Sequence, residues 1–261
     1  IGQSHSNNVA VGISTGEDLT TGGSNVMLGR YSCQNNTTGF ANTSTGTEAG
    51  QYLTTGSYNL FGGNRAGRKV TTGSNNIALG YSAMATTAGV TGDFNVAIGY
   101  YAGENLTSGI SNILLGYRAG DAISSGSGNI AFGLNTLGTA GSMTGNYNIA
   151  IGQEAGTDIT SALYTISIGY EAGANITTAT DNIAIGRNAS GALTVGTNNV
   201  SLGTAALFLN TGNSNTALGS SAGSTLTTGA NTTMLGYNAE PSSATVSNEV
   251  TLGDANVTRF R

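Results

Sequence analysis

The stretch Asn95-Val-Ala-Ile-Gly99 decides the fold, because the same phrase returns along the whole chain. Further copies are Asn76-Ile-Ala-Leu-Gly80, Asn112-Ile-Leu-Leu-Gly116 and Asn182-Ile-Ala-Ile-Gly186. Fifteen copies align on their glycine, and of the fourteen intervals between these glycines eleven are 17 residues, two are 19 and one is 16. A repeat of this period, kept in register over 261 residues, predicts a solenoid.

Two aliphatic columns give the repeat its β character. Val, Ile or Leu stands three residues before the glycine in twelve copies, and an aliphatic residue or Phe stands one residue before it in thirteen. This period-2 spacing predicts a strand whose buried face carries both columns. Ala stands three residues after the glycine in eleven copies, which suits a narrow interior. Another apolar position, as at Leu53 and Leu226, precedes Thr-Thr-Gly, so two short strands with Gly-containing corners are expected per copy.

The repeat predicts an all-β fold, a parallel β-solenoid or β-roll of about fifteen 17-residue coils, because such units bury an apolar face only when stacked. Residues 1–247 form the expected repeat region, and residues 248–261 form the last coil and a C-terminal segment. A thin, two-walled coil leaves an apolar stripe open, which predicts a homotrimer, with a monomeric β-helix as the alternative. The 19-residue intervals predict loops at residues 85–94 and 135–147.

Two further columns are candidates for a structural or a binding role. Asn begins twelve of the fifteen copies, and stacked Asn amides can hydrogen-bond from one coil to the next. The predicted ladder contains Asn76, Asn95, Asn112, Asn129, Asn148, Asn182 and Asn199. Tyrosines cluster directly after the repeat glycine, either as a stacked ladder in a corner or as a row of ring faces for a sugar polymer. The candidate receptor contacts are Tyr81, Tyr100, Tyr101, Tyr117, Tyr170 and Tyr237.

The remaining composition argues against catalysis and cofactor binding. The single His5 cannot complete a catalytic triad within one chain, and it is expected to be a solvated residue. Cys33 occupies a column that elsewhere holds Gly, Met84 or Leu137, which predicts a buried apolar residue. The acidic residues recur at repeat-related corners, which indicates solvated positions rather than a glycosidase pair. No enzyme activity, cofactor or metal is therefore predicted.

Charge and hydropathy also limit the partners. The net charge is −5 and the eight basic residues are scattered, so no nucleic-acid footprint is present. No apolar run is long enough to cross a membrane, and no membrane insertion is expected. Because the chain begins at Ile1, we expect it to be a fragment of a longer protein.

A resemblance to a known family rests on two phrases of the repeat. Asn-Ile-Ala-Ile-Gly-Tyr-x-Ala-Gly followed by Leu-Thr-Thr-Gly-Ser-x-Asn resembles the repeats of bacteriophage tail fibres. It is also similar, at a longer period, to the head repeats of trimeric autotransporter adhesins. Residues 248–261 resemble the segment that precedes the self-cleaving intramolecular chaperone of phage fibres, which implies a processing site near Arg261.

The resemblance implies a rigid homotrimeric fibre, shaft or head, in the tail of a virion. Its implied partners are a host cell-surface glycan or protein and other tail-fibre proteins. One alternative is the head of a trimeric adhesin on a bacterial surface. Another is an ice-binding solenoid, for which pairs such as Thr54-Thr55 are the evidence, although adjacent Thr residues of a strand point to opposite faces. A polysaccharide depolymerase would need a wider helix and a carboxylate cleft.

Overall fold

The computed structural model describes residues 7–86, 88–138 and 141–257, so His5 and Arg261 lie outside the described residues. The fold is all-β, with fifteen parallel strands in a β-solenoid of about 14 turns and no helix in the described parts. Coils of about 17 residues separate successive strands. The predicted fold class is confirmed.

Every strand is three residues long and ends directly before a repeat glycine. The strands are β1 (Val9–Val11), β2 (Val26–Leu28), β3 (Thr43–Thr45), β4 (Leu60–Gly62), β5 (Ile77–Leu79), β6 (Val96–Ile98), β7 (Ile113–Leu115), β8 (Ile130–Phe132), β9 (Ile149–Ile151), β10 (Ile166–Ile168), β11 (Ile183–Ile185), β12 (Val200–Leu202), β13 (Thr216–Leu218), β14 (Thr233–Leu235) and β15 (Val250–Leu252).

The chain divides into two compact units. The first spans Ile1–Phe132 with Ser142–Thr144, and the second spans Gly133–Gly141 with Gly145–Arg261. In the first unit β1 to β8 pair in chain order, and in the second β9 to β15 do the same. Within each unit, every strand is parallel to the next and is shifted by one repeat.

The chain between strands is turn rather than a second strand, so the prediction of two strands per coil is wrong. Leu53 is fully buried, as its column requires, but its N–H donates to Gly50 of its own coil over 3.0 Å. Residues such as Tyr101 (φ 56°) and Arg118 (φ 54°) adopt the left-handed conformation two residues after the glycine. The N–H groups of these turns alternate between the two coils: Leu53 donates within its own coil, whereas Thr54 donates to Thr71 of the next coil over 2.8 Å. Outside the strands the described residues form two isolated bridges, Val70 with Val90 and Ile123 with Met143.

The direction in which each strand faces is also opposite to the prediction. The middle residue of the strand is buried in thirteen of the fifteen strands, whereas neither flanking column contains a buried residue. In β6, Ala97 is fully buried and Ile98 is 39% exposed. The interior is narrow, and Ala or Ser fills nine of these thirteen inward positions. The Ile, Leu and Val residues therefore form an outer face.

The interior is packed by pairing large residues with glycine. Phe61 points inward from β4, and a Cβ at Gly67 would lie 2.3 Å from its ring. Leu114 points inward from β7, and a Cβ at Gly120 would lie 2.5 Å from its side chain. Because interiors are close-packed, a coil with a large inward strand residue needs a small residue in the corner behind it.

In other coils the same corner column holds side chains larger than glycine, and Met84 and Leu137 stand there in coils whose inward strand residue is Ala. Cys33, Met84 and Leu137 occupy it and are fully buried, which confirms the prediction for Cys33. Burial raises the pKa of the Cys33 thiol to about 12, although a hydrogen bond with Ser44 opposes the shift. The protonated thiol therefore packs as an apolar group at neutral pH.

The two longer coils place part of their extra residues in the core. Thr87, Thr139 and Ala140 lie outside the described residues. In the predicted loops, Val90 and Met143 are fully buried and each bridges to the coil before it. The extra residues therefore change the backbone path of the corner, while an apolar residue stays buried next to that of the preceding coil.

A buried serine in β10 provides a prediction about stability. Ser167 occupies the inward position that Ala150 and Ala184 fill in the neighbouring strands, and its Oγ has no hydrogen-bond partner among the described residues. An unsatisfied buried hydroxyl costs about 1–3 kcal/mol. We expect Ser167→Ala to raise the free energy of unfolding by about 1 kcal/mol, measured by urea denaturation.

Ser201 supplies the matched control for Ser167. It occupies the same inward position in β12, but its Oγ shares a 2.8 Å hydrogen bond with Ser190 and donates to the Ile183 carbonyl over 3.1 Å. We expect Ser201→Ala to lower the free energy of unfolding by about 1 kcal/mol because it breaks those bonds. A loss of stability in Ser167→Ala equal to that in Ser201→Ala would contradict the packing described for β10.

Candidate functional surfaces

The Asn column forms a buried network between coils. Asn95 is fully buried, and its Nδ2 donates to the Gly109 carbonyl over 2.9 Å. Its Oδ1 accepts hydrogen bonds from the backbone N–H and from Nδ2 of Asn112, both over 3.0 Å. The residues of the predicted ladder are all fully buried: Asn76, Asn95, Asn112, Asn129, Asn148, Asn182 and Asn199. At these positions the amides bind the chain itself, and none is accessible to a ligand.

Threonine takes the place of Asn at two buried positions of this column, Thr165 and Thr232. Thr165 is buried, and its backbone N–H donates to Asn148 Oδ1 over 3.0 Å. Its hydroxyl lies 3.3 Å from the Ala179 carbonyl, in the place of an Asn amide. Thr can therefore replace the donor function of Asn.

In each unit, the aliphatic residues on either side of the inward strand residues make an outer face, here called the outer apolar face. In the first unit it includes Leu60, Ile98, Ile113 and Phe132, which are 38–56% exposed. In the second unit it includes Val200, Leu202, Leu218, Leu235 and Leu252, which are 36–44% exposed. These columns were predicted to lie in the core, because period-2 alternation does not say which face is inside.

Four of the six candidate tyrosines form one cluster, in which three rings are stacked and the fourth meets them edge-on. The ring centroids of Tyr81 and Tyr100 are 5.2 Å apart at 15°, and those of Tyr100 and Tyr117 are 5.2 Å apart at 5°. Tyr101 meets Tyr100 edge-on at 4.3 Å. A hydrogen bond with Tyr100 is the main cause that raises the pKa of Tyr101 to about 12.

The stacking limits what these rings can bind. In this ladder both faces of the Tyr100 ring, and the sides of the Tyr81 and Tyr117 rings that face it, are covered by a neighbouring ring. Sugars stack on ring faces, and the geometry therefore favours the structural ladder of the two hypotheses. Tyr170 and Tyr237 have no stacked ring neighbour among the described residues, and Tyr237 is 71% exposed. A hydrogen bond to Glu171 is the main cause that raises the pKa of Tyr170.

A second aromatic column was missed in the sequence. Tyr147 and Tyr164 stack with centroids 5.4 Å apart at 4°, and Phe40 meets Tyr58 edge-on at 5.0 Å. Tyr58, Tyr147 and Tyr164 all stand five residues before a repeat glycine and have φ of 55–61°. Alignment on the glycine gives the signal, since most other copies have Asn, Ser, Asp or Gly in this column, residues common at positive φ, and only Ala41 and the aromatic Phe94 depart from this.

Among the acidic corners, Asp121 is buried and bonded within the chain. Asp121 accepts a 2.6 Å hydrogen bond from Arg118 Nε and is only 2% exposed. Burial raises the pKa of Asp121, and burial likewise raises that of Glu104. Asp121 therefore cannot reach a chain of sugars. Separately, Glu154, Asp158 and Glu171 line a shallow depression of about 400 Å³ at repeat-related positions.

The threonine column is engaged within the chain. The hydroxyl of Thr37 donates to the Thr54 carbonyl over 3.0 Å, and that of Thr54 donates to the Thr71 carbonyl over 3.1 Å. The second residue of each pair, such as Thr55, is exposed. A double row of outward hydroxyls is therefore not formed by these pairs.

No protein-family profile, curated protein or solved structure matches this chain. Within the described residues, no helix is long and apolar enough to span a membrane. Among the same residues, no three His, Cys, Asp or Glu side chains are grouped so as to hold a metal ion.

Proposed function

We propose that the chain is a non-enzymatic attachment module, a homotrimeric fibre segment of a phage tail that binds a host cell-surface glycan or protein. The resemblance of the repeat to tail-fibre repeats supports the attachment role and the place in a virion. The observation that carries the homotrimer is the outer apolar face. It recurs on strand after strand, and none of its aliphatic positions is buried in the single chain.

A second copy is the occupant that suits the outer apolar face best. Monomeric proteins rarely expose apolar patches larger than roughly a few hundred Å². This face repeats with the coil, so an identical face from another copy matches it strand by strand. Closed symmetry covers identical faces without leaving a free one, and three copies around one axis are the proposed arrangement.

We expect charges on the outer apolar face to separate the copies. Ile98 and Ile113 are 39% and 41% exposed, on β6 and β7. In Ile98→Glu/Ile113→Glu a carboxylate would have to be desolvated in an apolar interface, which is strongly unfavourable. Multi-angle light scattering should report three copies for the unmodified chain and one for the variant, with the circular dichroism spectrum of the variant unchanged.

Val195 provides the control for those substitutions. It is 59% exposed and lies outside the strands, so it is as accessible as the face residues without belonging to the face. Val195→Glu should keep the mass of three copies. If both variants keep that mass, the outer apolar face is not the contact between copies.

Different observations distinguish the adhesin and ice-binding alternatives from the phage fibre. An adhesin head shares the trimer and differs in what anchors the chain, so locating the chain by immunogold labelling, on a virion or on a bacterial surface, distinguishes the two. The ice-binding alternative is disfavoured because the first hydroxyl of each Thr pair, as in Thr37 and Thr54, donates to the backbone. A thermal-hysteresis assay of the purified chain should show no activity.

Attachment itself is tested with the labelled chain on whole bacteria. The fluorescent full chain should bind cells of some strains in a panel and should be displaced by excess unlabelled chain. Binding to none of a broad panel, by a chain whose trimeric mass is verified, would contradict the attachment role and leave the assembly intact.

A further inference from the structure

The stacked tyrosines are a feature that neither the trimer nor the attachment role uses. Tyr81, Tyr100 and Tyr117 form one ladder in the first unit, and Tyr147 with Tyr164 forms a second in the other unit. The two ladders stand in different columns of the repeat, one directly after the glycine and one five residues before it. Any property that follows from stacking should therefore appear at both.

Each ladder holds phenols of adjacent coils at short and fixed separations. Centroid distances are 5.2 Å in the first ladder and 5.4 Å in the second, with interplanar angles of 15° or less. The rings are 39–57% exposed, so a small oxidant can reach them and the rings have room to turn. A buried phenol would be out of reach of the oxidant, and an isolated phenol would have no neighbouring ring to couple with.

We propose that the two ladders are sites of oxidative coupling, at which a one-electron oxidant joins tyrosines of adjacent coils as dityrosine. Each of two phenols loses one electron to the oxidant and one proton to water. The resulting radicals form a carbon–carbon bond between their ortho positions. The two ortho hydrogens then move to the oxygens and restore both aromatic rings. The oxidant, such as a peroxidase with hydrogen peroxide, takes up the two electrons.

The consequence of coupling is a covalent staple between coils. Tyr81 and Tyr100 are 19 residues apart, and Tyr147 and Tyr164 are 17 apart, so each bond closes one turn of the solenoid. A cross-link of this kind reduces the conformational entropy of the unfolded chain and slows local opening of the coil that it closes. The modification would stabilise the solenoid without any disulfide, in a chain that has one cysteine.

The test is oxidation of the native full chain by horseradish peroxidase and hydrogen peroxide, followed by mass spectrometry. The intact mass should be that of one chain less two hydrogens for each coupling. Cleavage before aspartate separates the partners, since Asp93 lies between Tyr81 and Tyr100 and Asp158 lies between Tyr147 and Tyr164. Two joined peptide pairs are expected, 18–92 with 93–120 and 121–157 with 158–180.

Phenylalanine variants identify the partners while keeping the rings. Tyr164→Phe should abolish the join between peptides 121–157 and 158–180, whereas Tyr170→Phe should preserve it, because Tyr170 lies on the same peptide and is not stacked on Tyr147. Tyr100→Phe should abolish the other join. The proposal is overturned if native chain yields no more intrachain dityrosine than chain oxidised in urea, or if Tyr170→Phe and Tyr164→Phe lose the join equally.

Discussion

Replacement of Gly99 by alanine should destabilise the solenoid more than almost any other single change. Gly99 has φ of 139°, a conformation that residues with a Cβ rarely adopt, and the added Cβ would lie 2.2 Å from the Gly116 carbonyl oxygen. The strain alone costs about 1–3 kcal/mol, and the next coil must also move away. We expect Gly99→Ala to lower the free energy of unfolding by about 3 kcal/mol or more, measured by urea denaturation at one fixed protein concentration.

Gly89 is the control for this prediction. It is exposed in one of the longer coils, and a Cβ there would meet only the Thr71 side chain, at 3.3 Å. Gly89→Ala should change stability by less than about 0.5 kcal/mol. Equal stabilities of the Gly99 and Gly89 variants would show that the repeat glycine is not required for the close approach of successive coils.

The Asn ladder leads to the second large effect. Removing the Asn95 side chain leaves the backbone N–H of Asn112 and the Gly109 carbonyl without their side-chain partners in a buried layer. Each unsatisfied buried group costs about 1–3 kcal/mol, so Asn95→Ala should lower the free energy of unfolding by about 3 kcal/mol. Hydrogen exchange should also show faster exchange of the Asn112 amide.

Threonine at the same position gives a graded control. Thr165 already stands in the ladder, with its hydroxyl 3.3 Å from the Ala179 carbonyl. Asn95→Thr should therefore restore a donor toward Gly109 and lose clearly less stability than Asn95→Ala. If alanine and threonine are equally tolerated with the Asn112 amide still protected, the ladder does not hold the coils together.

The solenoid and its register were predictable because the repeat is kept so strictly. The glycine alignment pairs Ile77 with Val96 across a 19-residue interval, and the structure pairs the same two residues. Parallel stacking follows from units that cannot bury their own apolar residues. The Asn column was likewise visible, since its position directly before each strand fixes it at a corner.

The orientation of the strand could not be read from the pattern. Alternation shows that Ile98 and Val96 share a face and that Ala97 lies on the other, but it does not state which face is inside. Hydrophobicity favoured the isoleucines, and the narrow interior selected alanine instead. An open apolar stripe was predicted from the sequence, but the residues that form it, the outer apolar face, became visible only when the strands were placed around that interior.

The backbone conformation of the corners could be predicted only in part from the sequence. Tyr147, Tyr164 and Leu137 adopt positive φ although their side chains do not favour it, because the stacked neighbours on both sides fix the path of the backbone. Tertiary context overrode local propensity, and the expected second strand became a series of turns. The stacked Tyr147–Tyr164 pair was hidden for the same reason.

The most direct test of this account is the mass of the unmodified full chain in solution, measured by sedimentation equilibrium over a wide range of protein concentrations. Because the outer apolar face is open on the single chain, the account predicts three times the mass of one chain, independent of concentration down to the detection limit. A stable mass of one chain across that range would contradict the proposal that copies of this chain cover the face.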